Sequence, residues 1–348
     1  MAFSAVEDLQ EIAEKGWYPP AGMRLGATFY VRNAFPWLGQ YFGPQTIAST
    51  LSPGIGGIVS WGGRTPAKTA AMISRLRGLP HWNLEDGFLR SVGLGKAGAI
   101  PLSIVVDDLG LPVDASRSSR LERLIQGADD ARIGELGKTI REQIVRNKLS
   151  KYNHLPHEAP AIERSTKRRI LLVDQVVGDI SVGKALGSSA SFERMLADAL
   201  ATGAQCLIRT HPDVMAGHRK GYLTTAIAGK GGAIFLYDAV SVASILDVVD
   251  EVWTVSSQFG FDALLRGIPV RCYAAPFYAG WGVTEDQFGV YTKAVLADKR
   301  SRLRTVDQIA AAAFSLYPTY RDPANWRLID IFQAIELIVA AQSAQARG

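Results

Sequence analysis

The stretch Arg169-Ile170-Leu171-Leu172-Val173-Asp174-Gln175 decides how the chain is read. Its continuous apolar run is that of a strand covered on both faces, as in a parallel sheet. Toward the C-terminus the pattern keeps alternating. A helix spans about Ser189 to Thr202, followed by strand Gln205 to Arg209, helix Val214 to Gly229, strand Ala233 to Leu236 and helix Ser241 to Val249. Strand Glu251 to Val255, helix Phe259 to Arg266 and strand Pro269 to Tyr273 complete the series. Five strands with helical crossovers predict a doubly wound parallel sheet. Ligands of such sheets gather at the C-terminal ends of the strands, where Asp174 and Gln175 lie.

Toward the N-terminus, residues 129–168 are charge-rich, helical to about Asn147, and broken by Leu155-Pro156 and Ala159-Pro160, which reads as a linker. Ahead of it a second alternating region is expected. Ala27 to Val31, Ile55 to Trp61, His81 to Leu84 and Pro101 to Asp108 read as strands. Phe35 to Tyr41, the segment started by Thr65-Pro66, and Asp114 to Ile125 read as helices. Val6 to Lys15 has the spacing of a short amphipathic helix. Val306 to Ser315 and Trp326 to Ala341 read as helices packing back across the domains. The expected domains are therefore 1–160, 161–300 and a helical 301–348.

A chain of 348 residues, 47% hydrophobic and 20% charged, can bury a substantial interior and suggests more than one domain. Its 38 basic and 33 acidic side chains leave a formal charge of +5. That mild excess suits an anionic substrate or an anionic membrane face and is too diffuse for nucleic acid. Cys206 and Cys272 lie in apolar strand-like runs and read as buried reduced thiols, with no disulfide framework. No apolar run reaches the ~18 residues that span a bilayer, and no secretory signal precedes the first helix. The expectation is a cytoplasmic protein, with contact to the inner membrane face allowed.

Several strand ends carry reactive groups. Asp174 closes a buried strand and points toward the expected crevice; the competing reading, a helix cap, is weakened by the poor helix formers Val176-Val177-Gly178. Glu85-Asp86-Gly87-Phe88-Leu89-Arg90-Ser91 follows His81 to Leu84. Its two adjacent carboxylates serve either proton transfer, one raising the pKa of the other, or a simple turn. Arg209-Thr210-His211-Pro212 ends a further strand and brings a histidine able to donate to a phosphate oxygen. Ser256-Ser257-Gln258-Phe259-Gly260 either meets an anion where a helix begins or caps that helix. Together these ends point to a phosphate-bearing ligand. Phosphate-binding P-loop, nucleophile-elbow, zinc-protease and dinucleotide fingerprints are absent. Asp107-Asp108 reads as a solvated strand end rather than a metal site.

The motifs Glu85 to Gly95, Val105-Val106-Asp107-Asp108, Val173-Asp174-Gln175, His211-Pro212-Asp213, Val255 to Phe261 and Pro276-Phe277-Tyr278-Ala279-Gly280-Trp281-Gly282 together resemble the capsule polysaccharide biosynthesis family of KpsC- and LipB-like retaining β-Kdo transferases. The resemblance runs from about Trp61 to Tyr320. It implies a GT-B-like α/β fold, two Rossmann-like domains facing each other across a cleft, with CMP-Kdo as donor, no essential metal or other cofactor, and a glycolipid or saccharide acceptor. It implies that His211-Pro212, Ser256, Ser257 and Gln258 hold CMP, with His211 on the phosphate. Arg90, Ser91 and Gln175 are the sugar-side candidates, Arg90 for the sugar carboxylate on charge alone.

Transfer with retention assigns Asp174 as nucleophile and Glu85 or Asp86 as acid/base, ~5 Å away by analogy with retaining glycosidases. Phe277, Tyr278 and Trp281 are read either as an acceptor wall or as a packed aromatic cluster. The family's best-known members carry two such modules, whereas this chain shows one. An inverting transferase using another nucleotide sugar and a non-catalytic scaffold of a capsule export assembly are the competing functions.

Overall fold

The computed structural model describes residues 16–42, 47–95, 98–162, 165–210, 214, 217–226, 232–237 and 239–345. The expected helix Val6 to Lys15 and the His211-Pro212 pair lie outside them. The chain divides into two compact units, one of Met1–Leu111, Arg117–Leu124 and Ala311–Gly348, the other of Pro112–Ser116 and Ile125–Ala310.

The first unit begins with β1 (Leu25–Ala27), β2 (Ile47–Ser49), β3 (Gly57–Trp61) and β4 (His81–Asp86), paired in parallel. β5 (Ser103–Asp107) runs antiparallel to β4. The expected strand from Ala27 to Val31 is cut short, because the Thr28 hydroxyl accepts from Val31 N and starts a helix at Phe29. The expected strand His81 to Leu84 is extended instead, through Asp86.

The second unit holds β6 (Arg169–Val173), β7 (Gln205–Arg209), β8 (Ala233–Leu236), β9 (Glu251–Thr254), β10 (Val270–Cys272) and the short β11 (Glu285–Asp286). All pair in parallel, in the order β11-β10-β9-β6-β7-β8. This is the Rossmann strand order, and it places the topological switch point between β6 and β9. Ile170, Leu172, Cys206 and Ile208 alternate onto one face, where they pack with Phe192, Met195, Leu196 and Leu223. The opposite phase, Leu171 and Leu207, is equally buried, which accounts for the unbroken apolar runs.

The chain then returns to the first sheet with β12 (Pro318–Arg321), antiparallel to β5, and β13 (Leu328–Ile329). These two strands interrupt the expected helical C-terminus. The helix Ile331–Gln345 follows them.

The boundary expected at residue 160 falls instead within residues 111–125. The helix Ala131–Arg146 belongs to the second unit: Ile140 and Ile144 are buried, and Arg141 pairs with Asp307 at 2.5 Å. The segment read as a linker is a built turn. Ser150 N donates to Asn153 Oδ1 at 2.9 Å, Asn153 Nδ2 donates back to Ser150 O at 2.9 Å, and Ser241 N donates to Pro156 O.

Candidate active site

In the first unit, β4 carries Glu85 and Asp86 as its last two residues, opposite Val105 and Ile104 of β5. Successive side chains of a strand project to opposite faces. The two acids therefore project to opposite faces rather than side by side, against the expectation that one carboxylate raises the pKa of the other. Asp86 Oδ1 lies 2.7 Å from Arg90 Nε. Arg90 is 4% exposed, and its Nη1 donates to Ser91 Oγ at 2.9 Å and to Ala99 O at 3.0 Å. Ser91 Oγ donates in turn to Gly93 O. A Cβ on Gly95 would stand 2.6 Å from Arg90 Nη2, so the glycine lies directly against the guanidinium. Arg90 and Ser91, expected on the sugar side, are thus engaged in fixing this loop. Glu85 Oε1 accepts from Asp86 N at 3.2 Å.

Asp107 and Asp108 are not a solvated strand end. Asp107 is fully buried; its Oδ1 accepts from Leu109 N and Gly110 N, and its Oδ2 accepts from Arg120 N and Tyr317 OH at 2.7 and 2.8 Å. Burial still holds its pKa above the ordinary value against these donors. Asp108 forms a two-point pair with Arg120, 3.0 Å to Nε and 2.7 Å to Nη2. Among the described residues no group of three or more histidine, cysteine or acidic side chains could hold a metal ion.

In the second unit, Asp174 follows β6 and is 3% exposed. Its Oδ1 accepts from Gln175 N at 2.9 Å and from Leu223 N at 2.8 Å, while Oδ2 meets Thr224 N at 3.4 Å. The acid does cap a helix, Tyr222–Ala226, but one nearly fifty residues downstream rather than the next in sequence. A Cβ on Gly221 would lie 2.1 Å from Asp174 Oδ2 and 2.6 Å from Thr224 Oγ1, so glycine is what admits the carboxylate. Burial raises the Asp174 pKa, and the backbone amides of Leu223, Thr224, Gln175 and Tyr222 act in the opposite sense. Of the two oxygens, Oδ2 is the less strongly hydrogen-bonded.

Gln175 spans the switch point. Its Oε1 accepts from Ser256 N at 3.1 Å, and its Nε2 lies 3.1 Å from Ser256 Oγ and 3.2 Å from Ser181 Oγ. Ser181 was not among the sequence candidates; the Asp179 side chain that caps its helix at Ser181 N is the local signal that could have marked it. Ser257 Oγ accepts from Phe259 N at 3.2 Å, and Ser257 O accepts from Tyr278 OH at 2.5 Å. Tyr278 and Trp281 are fully buried and Phe277 nearly so. Phe261 packs edge-on to Phe277 and stacks on Tyr278, and Trp281 Nε1 donates to Phe277 O. The alternative realised for these rings is the packed cluster, which supports the Ser256-Ser257 loop from behind.

Two α/β units, each with a central sheet bearing an acid at the end of a parallel strand, define a GT-B-like chain. A family profile described as capsule polysaccharide biosynthesis protein matches residues 57–161 and 130–320, and the chain belongs to that family. It is 36% identical over 292 residues to the capsule polysaccharide modification protein LipA of Neisseria meningitidis serogroup B, covering 82% of this chain and 41% of that protein. It is also 36% identical over 271 residues to the lipopolysaccharide-processing protein LpsZ of Rhizobium meliloti, covering 75% and 59%. The chain thus spans roughly two fifths to three fifths of these curated relatives.

Among solved structures, the β-Kdo 2,4 transferase of Thermosulfurimonas dismutans KpsC superposes with a TM-score of 0.80 at 32% identity, over 92% of this chain and 99% of that one. The β-Kdo 2,7 transferase of the same protein superposes with a TM-score of 0.67 at 24% identity over the same shares, a likeness of fold.

Proposed function

We propose that the chain is a glycosyltransferase that moves Kdo from CMP-Kdo to a glycolipid or oligosaccharide acceptor with retention, in the assembly of capsule or a related surface polysaccharide. The observation that carries this reading is the match, over nearly the whole of both chains, to a β-Kdo 2,4 transferase at 32% identity. The same match favours a 2,4-type linkage. The buried, amide-held Asp174 at the switch point supports the covalent part of the reading.

In the first displacement Asp174 Oδ2 attacks the anomeric carbon of Kdo, the bond from that carbon to the phosphate oxygen breaks, and CMP leaves with the electron pair. In the second, an acceptor hydroxyl attacks the same carbon, the ester to Asp174 breaks, and the hydroxyl proton passes to the acid/base. Two inversions give net retention. Glu85 is the acid/base we favour, because Asp86 is tied to Arg90. Ser256, Ser257 and Gln258 hold the nucleotide together with His211 and Pro212, whose assignment rests on the family resemblance. Gln175 serves through Ser256 by fixing the width of the crevice. Neither step calls for a metal. No helix among the described residues is long and apolar enough to cross a membrane; a lipid-borne acceptor would bring the protein to the cytoplasmic face of the inner membrane.

The test is incubation of the purified chain with CMP-Kdo and a synthetic Kdo-terminated glycolipid, with the product's anomeric configuration read by NMR. A β-linked Kdo is expected. Transfer from UDP- or GDP-sugars alone, or a product of inverted configuration, would remove the proposal.

A further inference from the structure

Beside Asp174 stands a buried hydroxyl that no described residue engages. β6 and β7 pair in parallel with Val173 opposite Arg209, and Asp174 N continues the ladder by donating to Arg209 O at 3.0 Å. The next position sets Thr210 next to Asp174. Ile170 and Leu172, like Cys206 and Ile208, face the core shared with Leu223, and alternation puts Asp174 and Thr210 on that same face. The contact from Leu223 N to Asp174 Oδ1 agrees with this placement. Neighbouring strands are ~4.8 Å apart, so a group bonded to Asp174 Oδ2 comes within reach of the Thr210 side chain. Thr210 is 1% exposed, and its Oγ1 has no hydrogen-bond partner among the described residues.

A buried hydroxyl without a partner is unfavourable and uncommon in folded proteins, and such a group calls for an explanation. An acidic sugar supplies one. A Kdo whose anomeric carbon approaches Asp174 brings its own carboxylate, one bond away, against a second negative charge. A neutral donor at that point offsets the repulsion without neutralising the nucleophile. Arg90, the cation expected for this purpose, is engaged with Asp86, Ser91 and Ala99. The Gln175 amide is engaged with Ser181 and Ser256.

We propose that Thr210 Oγ1 donates a hydrogen bond to the carboxylate of the sugar held at Asp174, making Thr210 a residue that selects 2-keto acid sugars. The proposal rests on the transferase reading above. Its test compares the wild type with Thr210→Val and Thr210→Ser, measuring kcat/KM for CMP-Kdo, binding of CMP alone by calorimetry, and Tm. Thr210→Val is expected to lower kcat/KM about tenfold, the loss of one hydrogen bond to a charged group. CMP affinity should stay unchanged, Tm should be unchanged or higher, and Thr210→Ser should recover most of the activity.

Wild-type kcat/KM in Thr210→Val would overturn the proposal. So would an equal loss of CMP and CMP-Kdo binding, or a fall in Tm that serine repairs, since the hydroxyl would then be structural. A wild-type protein that transfers nothing from CMP-Kdo and binds no CMP would overturn the transferase reading itself, an outcome visible before any variant is made.

Discussion

The ends of β4 and β6 each present an acid, but the two are held by different means. Asp86 at the end of β4 is answered by a side chain four residues away, Arg90, within one short loop. Asp174 after β6 is answered by main-chain amides of Leu223 and Thr224, brought in by the fold from a distant part of the chain. A full opposite charge neutralises the carboxylate it faces, whereas amide donors support the charged form without cancelling its charge. The first arrangement suits loop architecture and the second suits a nucleophile.

The largest expected effect falls on the amide-held acid. Asp174→Asn should reduce transfer by about a thousandfold or more, as loss of a nucleophile does, and its amide nitrogen would also face backbone donors. Residual activity within tenfold of wild type would end the contrast between the two acids. Arg90→Ala should act mainly on stability. Removing the partner of a nearly buried charge is expected to cost about 3 kcal/mol, read from urea unfolding; a change below about 0.5 kcal/mol would mean that the loop is held by other contacts.

Gly221→Ala sharpens the comparison from the other side. A methyl group directed at Asp174 Oδ2 and Thr224 Oγ1 must push the carboxylate or the Thr224 side chain aside and is expected to loosen the carboxylate from the amides. Overpacking of this kind should destabilise by about 1–3 kcal/mol. It should also move the acidic limb of the kcat/KM profile to higher pH, because weaker amide support raises the pKa of an already raised carboxyl. An unmoved limb would show that Gly221 matters for packing alone.

The smallest effect concerns Asp262, a buried acid in the helix Phe259–Leu265. Burial pushes its pKa up to about 7 against the lowering influence of Arg266 and Lys151. An acid whose pKa is raised by folding contributes stability that is complete below its ordinary value of 3.8 and is lost as pH rises through about 7. Between pH 6 and 8 this group should remove about 1.4 kcal/mol of folding stability. Asp262→Asn should flatten that interval, and an unchanged slope in the variant would assign the pH dependence elsewhere.

Much of the second unit was legible in the sequence because a fully buried parallel strand announces itself by composition. β7 begins and ends at the expected residues, β6 starts one residue earlier at Arg169, and Asp174 was visible as the acid closing such a run. Its amide cradle was not, since nothing near Asp174 encodes a contact with Leu223. In the first unit the adjacency of Glu85 and Asp86 suggested a coupled pair, but two more residues of strand pairing with β5 send them to opposite faces. The aromatic segment Phe277 to Trp281 is equally dense whether it lines a site or fills a core, and only burial separates the two. β12 and β13 are short, and Pro318, Arg321 and the turn between them hide their pairing.

The central claim, that Asp174 forms a bond to the sugar, is tested most directly by trapping. The protein is incubated with CMP-Kdo in the absence of acceptor, quenched, and analysed by intact-mass and peptide mass spectrometry. The account predicts one Kdo residue added to the protein, located on Asp174 and discharged when acceptor is supplied. An adduct on another residue, or steady turnover with no adduct and an inverted product, would contradict it.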